Sequence, residues 1–471
     1  MHKKFIKKNG KVFGPYYYEN KRVNGKVVTK YLGLTIRNNE NNEIKKGSGK
    51  IWIFLLLGAI FFSLLIAFFT VSFLFPTEIK IFEFFIEKEV VLDDSLVLFS
   101  PITSCGNLNL QNEVYTLTQS VSSTGTCFTI TANNVTLNGN GYEINYSTSS
   151  IMGHGVLIKG FNSTTIKNVL IREIDSTITL KHAINISNGH NNTIDNITII
   201  VGAQQSRGLR ITNGDYNTLF RSNITVKGTS QTSSDGIKII GGKFNNITNN
   251  IVHNLRTTGV NNDGLSFENC SNTVIFGNII IINPTTSFGV KLVSDNFNNI
   301  FVNNSITTFG SDGLGISLGG PGFNNTFNNI FVNTMGTSAH GIEVEPNSNA
   351  TLYDSFINAS DASSNDLSFI ANANGIINFT NVTLAGNKIN FAASSLGMLN
   401  VHWYLDAYAN YTNGTIAPNA NVSAWNVTYD KITPKFSVLT GSNGRIAGQT
   451  LLEYTRNSTD SIYYSNYTFN A

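Results

Sequence analysis

The residues most able to do chemistry form a series: His154, His182, Arg207, Asp235, Asp263, Phe288, Leu314 and His340, each placed just ahead of a similar short segment. If those segments stack in register, Asp235 and Asp263 lie about 5 Å apart, with Arg207 one step away and Arg210 and Lys238 close by. Paired carboxylates at that separation can share a proton, hold Ca²⁺, or act as acid and nucleophile on a glycoside. The plainer reading is turn chemistry, because Asp-Gly favours turns and Ser311-Asp312-Gly313 repeats the pair without catalytic neighbours. The plainer reading weighs more, and Asp235, Asp263 and Arg207 stand as the only catalytic candidates. The histidines are dispersed and there are only 4 Met, so a copper cluster is not expected. No phosphate-cradling loop, Ser/His/Asp arrangement or zinc spacing occurs, and neither a metal site nor a cofactor is expected.

A repeat must position this series. Its openings are Gly155-Val156-Leu157-Ile158, Ala183-Ile184-Asn185-Ile186, Gly208-Leu209-Arg210-Ile211, Gly236-Ile237-Lys238-Ile239 and Gly264-Leu265-Ser266-Phe267. Gly289-Val290-Lys291-Leu292, Gly315-Ile316-Ser317-Leu318, Gly341-Ile342-Glu343-Val344 and Asp366-Leu367-Ser368-Phe369 continue it, at intervals of 25 to 28 residues. That period signals a solenoid. Within each opening apolar residues alternate with polar ones, the mark of a half-buried strand, and helix formers are scarce. A second apolar segment follows in each unit, such as Thr193-Ile194-Asp195-Asn196-Ile197-Thr198-Ile199, so one unit supplies two or three strands. Like strands stacked in parallel predict a rod of roughly ten rungs and about 45–50 Å.

Asparagines recur with the same period: Asn134, Asn162, Asn192, Asn217, Asn245, Asn272, Asn298, Asn324, Asn349 and Asn374. Asn tolerates left-handed backbone geometry and carries both donors and acceptors, so the series predicts one internal amide ladder. A looser series runs through Asn168, Asn196, Asn223, Asn250, Asn278, Asn304 and Asn329.

With its lead-in Cys127-Phe128-Thr129-Ile130-Thr131-Ala132-Asn133-Asn134-Val135-Thr136-Leu137-Asn138-Gly139-Asn140-Gly141, this repeat resembles the right-handed parallel β-helix of the pectin-lyase-like superfamily. It is most similar to the repeats of NosD-type periplasmic copper-binding proteins and of archaeal cell-surface proteins. The resemblance implies a fold more than an activity. Polysaccharide lyases and galacturonases of this fold carry their sites on one outer face. Gly153-His154-Gly155 matches one galacturonase element, but no Asp-Asp lies nearby and Arg-X-Lys is absent. A lyase would want several acidic Ca²⁺ ligands beside a basic residue, which only Arg207, Asp235 and Asp263 approach.

The flanks set the rest of the organisation. Residues 1–50 carry 13 Lys/Arg and 3 Glu, whereas the remainder carries 19 Lys/Arg and 26 Asp/Glu. Between them residues 51–75 hold no charge and are mostly Ile, Leu, Phe, Val and Ala, long enough at about 37 Å for a transmembrane helix. The run is too long for a signal peptide, and Phe75-Pro76-Thr77-Glu78 offers no cleavage site. Lys45, Lys46 and Lys50 before the span against Glu78, Glu83, Glu87 and Glu89 after it place residues 1–50 inside and 76–471 outside the cell. About twenty Asn-X-Ser/Thr triplets, all beyond the span, agree with exposure to glycosylation.

Inside, residues 1–37 read as a basic β-hairpin module, because Asn9-Gly10 and Asn24-Gly25 are type I′ turn signals between apolar-aromatic runs. Gly14-Pro15-Tyr16-Tyr17-Tyr18 and Lys30-Tyr31-Leu32-Gly33 resemble a module of some prokaryotic proteins. Its lysines and tyrosines could contact nucleic acid or anionic lipid, or the module could be a folded topogenic head. Residues 38–50 read as a linker and 76–125 as a stalk and cap, with a disulfide expected between Cys105 and Cys127 and Cys270 a buried lone thiol. After residue 394 the period stops. Ala417-Pro418-Asn419-Ala420-Asn421-Val422 and Leu439-Thr440-Gly441-Ser442-Asn443-Gly444-Arg445-Ile446 resemble the carboxypeptidase-regulatory-like β-sandwich, placed at 395–471.

The sequence therefore predicts a mainly β chain: a transmembrane helix, a right-handed parallel β-helix at 126–394 and a small C-terminal β-sandwich. The expected function is a single-pass cell-surface glycoprotein that is non-catalytic, with a polysaccharide or cell-surface glycan as partner for adhesion or envelope structure. The alternative is a membrane-tethered glycoside hydrolase or polysaccharide lyase. Nucleic acid is expected, if at all, only at the basic head.

Overall fold

The computed structural model describes residues 2–8, 11–23, 26–33 and 99–471, except 176, 178, 229–232, 258 and 429. The expected linker, transmembrane helix and the stalk up to residue 98 lie outside the described residues. Among the described residues no helix is long and apolar enough to cross a membrane. The chain divides into two compact units between Leu92 and Asp93.

In the first unit His2–Lys8, Lys11–Val23 and Lys26–Gly33 form an antiparallel three-stranded sheet. Its register pairs Lys8 with Lys11 and Val23 with Lys26, so each connection spans one Asn-Gly pair, as two-residue hairpins require.

The second unit is an all-β solenoid of right-handed type with about eleven turns. Each regular turn contributes three strands, one to each of three long parallel sheets. One turn shows why. Ile184–Ser187 buries Ile184 and Ile186, Thr193–Asp195 buries Ile194, and Thr198–Val201 buries Ile199 and Val201, while intervening side chains point outward. The alternation therefore sends five aliphatic side chains per turn into the axis. In the first sheet Ile184, Leu209, Ile237, Leu265, Val290, Ile316, Ile342 and Leu367 stack in unbroken register. The residue opening each first-sheet strand sits where the third sheet presses closest. A Cβ at Gly264 would overlap the Ile280 side chain, and one at Gly289 would overlap Ile306, so glycine is a steric requirement at these two openings, while Ala183 and Asp366 hold the same place in their turns.

The solenoid starts earlier than the repeat predicts. Residues expected as stalk and cap already form Phe99–Ile102, Gly106–Leu108, Val114–Leu117 and Val121–Ser122, each paired in parallel with the following turn. These turns are shorter and lack the glycine opening, which hid them from the period. Gly106 pairs with Phe128, so Cys105 and Cys127 occupy equivalent places in successive turns and are joined as a disulfide with Cα atoms 4.7 Å apart. Rung spacing and disulfide geometry thus coincide. Cys270 is a buried free thiol.

At the far end Met398–Tyr408 extends the second sheet in parallel from Ile376–Thr380, then pairs antiparallel with Arg445–Arg456. Ser461–Tyr463 adds to that edge, and a separate sheet sets Asn421–Asn426 between Phe436–Leu439 and Tyr467–Asn470. A small core of Ala409, Ala417, Val422 and Ile446 belongs to this region. The strand containing His402 to Tyr408 is therefore shared between solenoid and terminal region.

Candidate functional site

The series His154, His182, Arg207, Asp235 and Asp263 does stack, and its histidines and aspartates accept main-chain N–H groups of the next rung. His154 Nδ1 accepts the main-chain N–H of His182 at 3.3 Å, and His182 Nδ1 accepts that of Arg207 at 3.3 Å. Asp235 Oδ1 accepts the N–H of Asp263 at 3.2 Å, and Asp263 Oδ1 that of Phe288 at 3.0 Å. His340 repeats the pattern with the N–H of Asn365 at 3.0 Å. The His and Asp side chains of the series thus tie one rung to the next.

The electrostatics follow. The rings of His154 and His182 stack with centroids 5.3 Å apart. Burial foremost lowers the His154 pKa to about 4, and burial followed by the charge of His154 pulls His182 well below the ordinary value. Both rings are neutral at physiological pH, as acceptors must be. Arg207 Nε donates to Asp235 Oδ2 at 3.0 Å, with side chains only 12% and 4% exposed. Burial first and then the neighbouring Asp235 push Asp263 up to about 7. The structure thus brings all three catalytic candidates together but holds Asp235 and Asp263 beneath the surface as part of the frame. In this structure the two carboxylates serve the rung-to-rung hydrogen bonds, with Asp235 3% and Asp263 2% exposed.

The accessible chemistry lies further along the same strands. Asn185, Arg210, Lys238, Ser266, Lys291, Ser317, Glu343 and Ser368 form an in-register column of the first sheet, in which Ser266, Ser317 and Ser368 are buried and the longer side chains of Arg210, Lys238, Lys291 and Glu343 reach the surface in part. Its charge changes sign along the rod. Arg210, Lys238 and Lys291 precede Glu343, with Glu268 and Glu345 two residues beyond the column positions Ser266 and Glu343. Lys238 Nζ lies 3.3 Å from Glu268 Oε2, and Lys291 Nζ sits 4.5 Å above the Phe288 ring. Ser317 Oγ donates to Glu345 Oε1 at 3.0 Å. Burial and then the charge of Glu345 raise the half-buried Glu343 to about 7. Sequence reasoning missed Glu343 and Glu345 because it followed the residue ahead of each opening. The third residue of each opening carried the signal.

The asparagine series resolves into adjacent columns rather than one. A buried ladder occupies Thr164, Asn192, Asn217, Asn245, Thr273, Asn299 and Asn325. Asn192 Nδ2 donates to Asn217 Oδ1 at 2.9 Å, Asn245 Oδ1 accepts the Asn217 N–H at 2.8 Å, and Asn299 Nδ2 reaches Asn325 Oδ1 at 3.1 Å. Asn134, Asn272, Asn298 and Asn324 sit one place earlier with φ of 55, 53, 54 and 58°, as left-handed corner residues. Asn162 lies one place earlier again and accepts the N–H of His190 at 2.8 Å. Asn349 accepts the N–H of Ile376 at 2.6 Å, while Asn374 pairs with Asn347 at 2.9 Å. The looser series hides a second ladder, in which Asn250 donates to Asn278 and Asn278 to Asn304, both at 3.0 Å. At the left-handed corner Tyr216 and Phe244 stack 5.0 Å apart and stand exposed.

No family model and no curated protein matches the chain. Among solved structures it is similar to the tailspike protein of E. coli bacteriophage HK620 in complex with pentasaccharide, at 12% identity and TM-score 0.34, covering 77% of this chain and 81% of that one. It is also similar to the catalytic unit of a thermostable GH87 alpha-1,3-glucanase from Streptomyces thermodiastaticus strain HF3-3, at 11% identity and TM-score 0.37, covering 64% of this chain and 62% of that one.

Proposed function

We propose that this chain is a membrane-anchored surface protein whose solenoid binds polysaccharide along the outer face of its first sheet without cleaving it. The carrying observation is the in-register column from Arg210 to Ser368, in which the charged side chains of Arg210, Lys238, Lys291 and Glu343 reach the surface between rungs whose serines are buried, while Asp235 and Asp263 accept main-chain N–H groups within the frame. Regular spacing of donors and acceptors matches the repeated hydroxyl and carboxyl groups of a glycan chain. A bound chain would gain from many weak contacts rather than one deep pocket. The basic flank before residues 51–75, the acidic flank after them and the sequons beyond support a single span with residues 76–471 outside. The Cys105–Cys127 disulfide suits that compartment. We place the solenoid with the NosD-type and archaeal cell-surface β-helices and residues 395–471 with the carboxypeptidase-regulatory-like modules, on the residues that resemble them.

The test is capture of the full chain on an array of neutral and uronic-acid oligosaccharides. Lys238→Ala with Lys291→Ala should weaken capture of acidic glycans, and unchanged capture by the double variant would sink the face assignment. A second reading rests on Glu343. A carboxyl with a pKa of about 7 beside a second carboxylate is the arrangement of a general acid in glycoside hydrolysis. Release of reducing ends by the wild type, abolished by Glu343→Gln, would establish that reading in place of simple binding.

A further inference from the structure

Two cavities share Trp403 and Glu453 in their walls where the last turns of the solenoid meet the terminal strands. One, of about 320 Å³, is walled by Trp403, Glu453, Leu451, Phe469 and Ser465. The other, of about 310 Å³, is walled by Trp403 and Glu453 again, with Leu384, Thr383 and Asn387. Both approach the lower end of volumes that hold small organic ligands. Trp403 is 42% exposed.

The backbone is arranged to produce this pair. Along Met398–Tyr408 and Arg445–Arg456, Val401 faces Tyr454 and the next residue, His402, faces Leu452, so Glu453 is an extra residue without a partner. Such a bulge re-aims one side chain out of the regular alternation. Here it turns the Glu453 carboxylate onto the indole, and Trp403 Nε1 donates to Glu453 Oε2. With its N–H engaged, the indole offers its faces rather than its edge. Apolar side chains floor each cavity, while a carboxylate and the hydroxyl or amide groups of Ser465, Thr383 and Asn387 provide polar partners.

We infer that Trp403 and Glu453 form a glycan-binding subsite, separate from the first-sheet face, in which the C–H face of a pyranose ring lies on the indole and Glu453 accepts from its hydroxyls. A flat ring with an apolar face and a hydroxyl rim matches this combination of flat aromatic and acceptor. Both cavities border Trp403 and Glu453, so a sugar on the indole has polar and apolar groups of each wall beside it. The ligand's class rests on the polysaccharide reading above; the location rests on the bulge and the cavities.

The test uses the full chain and the same array, with circular dichroism as the folding control. Trp403→Ala should lower capture of at least one neutral oligosaccharide by about tenfold, and Glu453→Gln should lower it less. Addition of the captured oligosaccharide should change tryptophan emission in the wild type and not in Trp403→Ala. Where Trp403→Ala fails to fold, Glu453→Gln decides, because Gln keeps an acceptor for the indole but removes the charge. Capture equal in the wild type and in these variants overturns the subsite while leaving the proposed function standing. Absence of capture of every glycan by the wild type overturns both.

Discussion

Two columns of the first sheet, only a few residues apart in each turn, behave in opposite ways. The corner column of His154, His182, Arg207, Asp235 and Asp263 carries the residues that look most like catalysts, yet its acceptors are committed to main-chain N–H groups and to one another. The outer column from Arg210 to Glu343 looks ordinary in sequence, yet its charged ends face outward, paired loosely across the surface. Residue type therefore says less about function than the fate of each lone pair.

The sharpest way to break this contrast is Asp235→Ala. It leaves the buried Arg207 guanidinium without its partner and should cost about 3–5 kcal/mol of stability, read as a lower melting temperature. A loss no greater than that of a surface substitution would mean that the corner column is not structural. Next in size is Asn278→Ala, which strips the Asn250 amide and main-chain N–H of their acceptor and Ile247 O of its donor. Denaturant unfolding should show a loss of about 2–4 kcal/mol.

Acid should act on the histidine end. The folded His154 value of about 4 lies below its ordinary 6.5, so the unfolded chain binds more protons across that window. Stability is then intact above about pH 6.5 and falls as pH drops towards 4. Melting curves of the wild type against His154→Asn with His182→Asn should converge at high pH and separate on acidification, with the variant losing less. Asp263 has the reverse sign. Its raised value makes ionisation costly in the folded state, so stability declines as pH rises from its ordinary 3.8 through about 7. Asp263→Asn keeps the acceptor for Phe288 and should raise the melting temperature by a few degrees at pH 8, with no gain near pH 3. The smallest effect belongs to the outer column, where Lys238→Ala should change stability by less than about 1 kcal/mol.

Much of the architecture could be read before any coordinates. The glycine openings are forced by the third sheet at Gly264 and Gly289, and the alternation around Ile184 and Ile186 leaves a strand no other way to bury its aliphatics. The irregular first turns were illegible because Gly106 and Phe128 satisfy the same geometry without the recurring signature. The asparagines were only half legible. Asn suits both a left-handed corner, as at Asn272, and an amide ladder, as at Asn217, and the two positions are adjacent in every turn.

By itself, then, the chain's periodicity determined that it would coil into stacked rungs, since a repeat of glycine, aliphatic and amide can bury its apolar side only against its own copies. Only the tertiary structure decided which column faces solvent. A one-residue change of register moves a side chain from interior to surface, and no count of residues along a line reports that register. The same holds for Glu453, aimed at Trp403 by one unpaired residue in a distant strand.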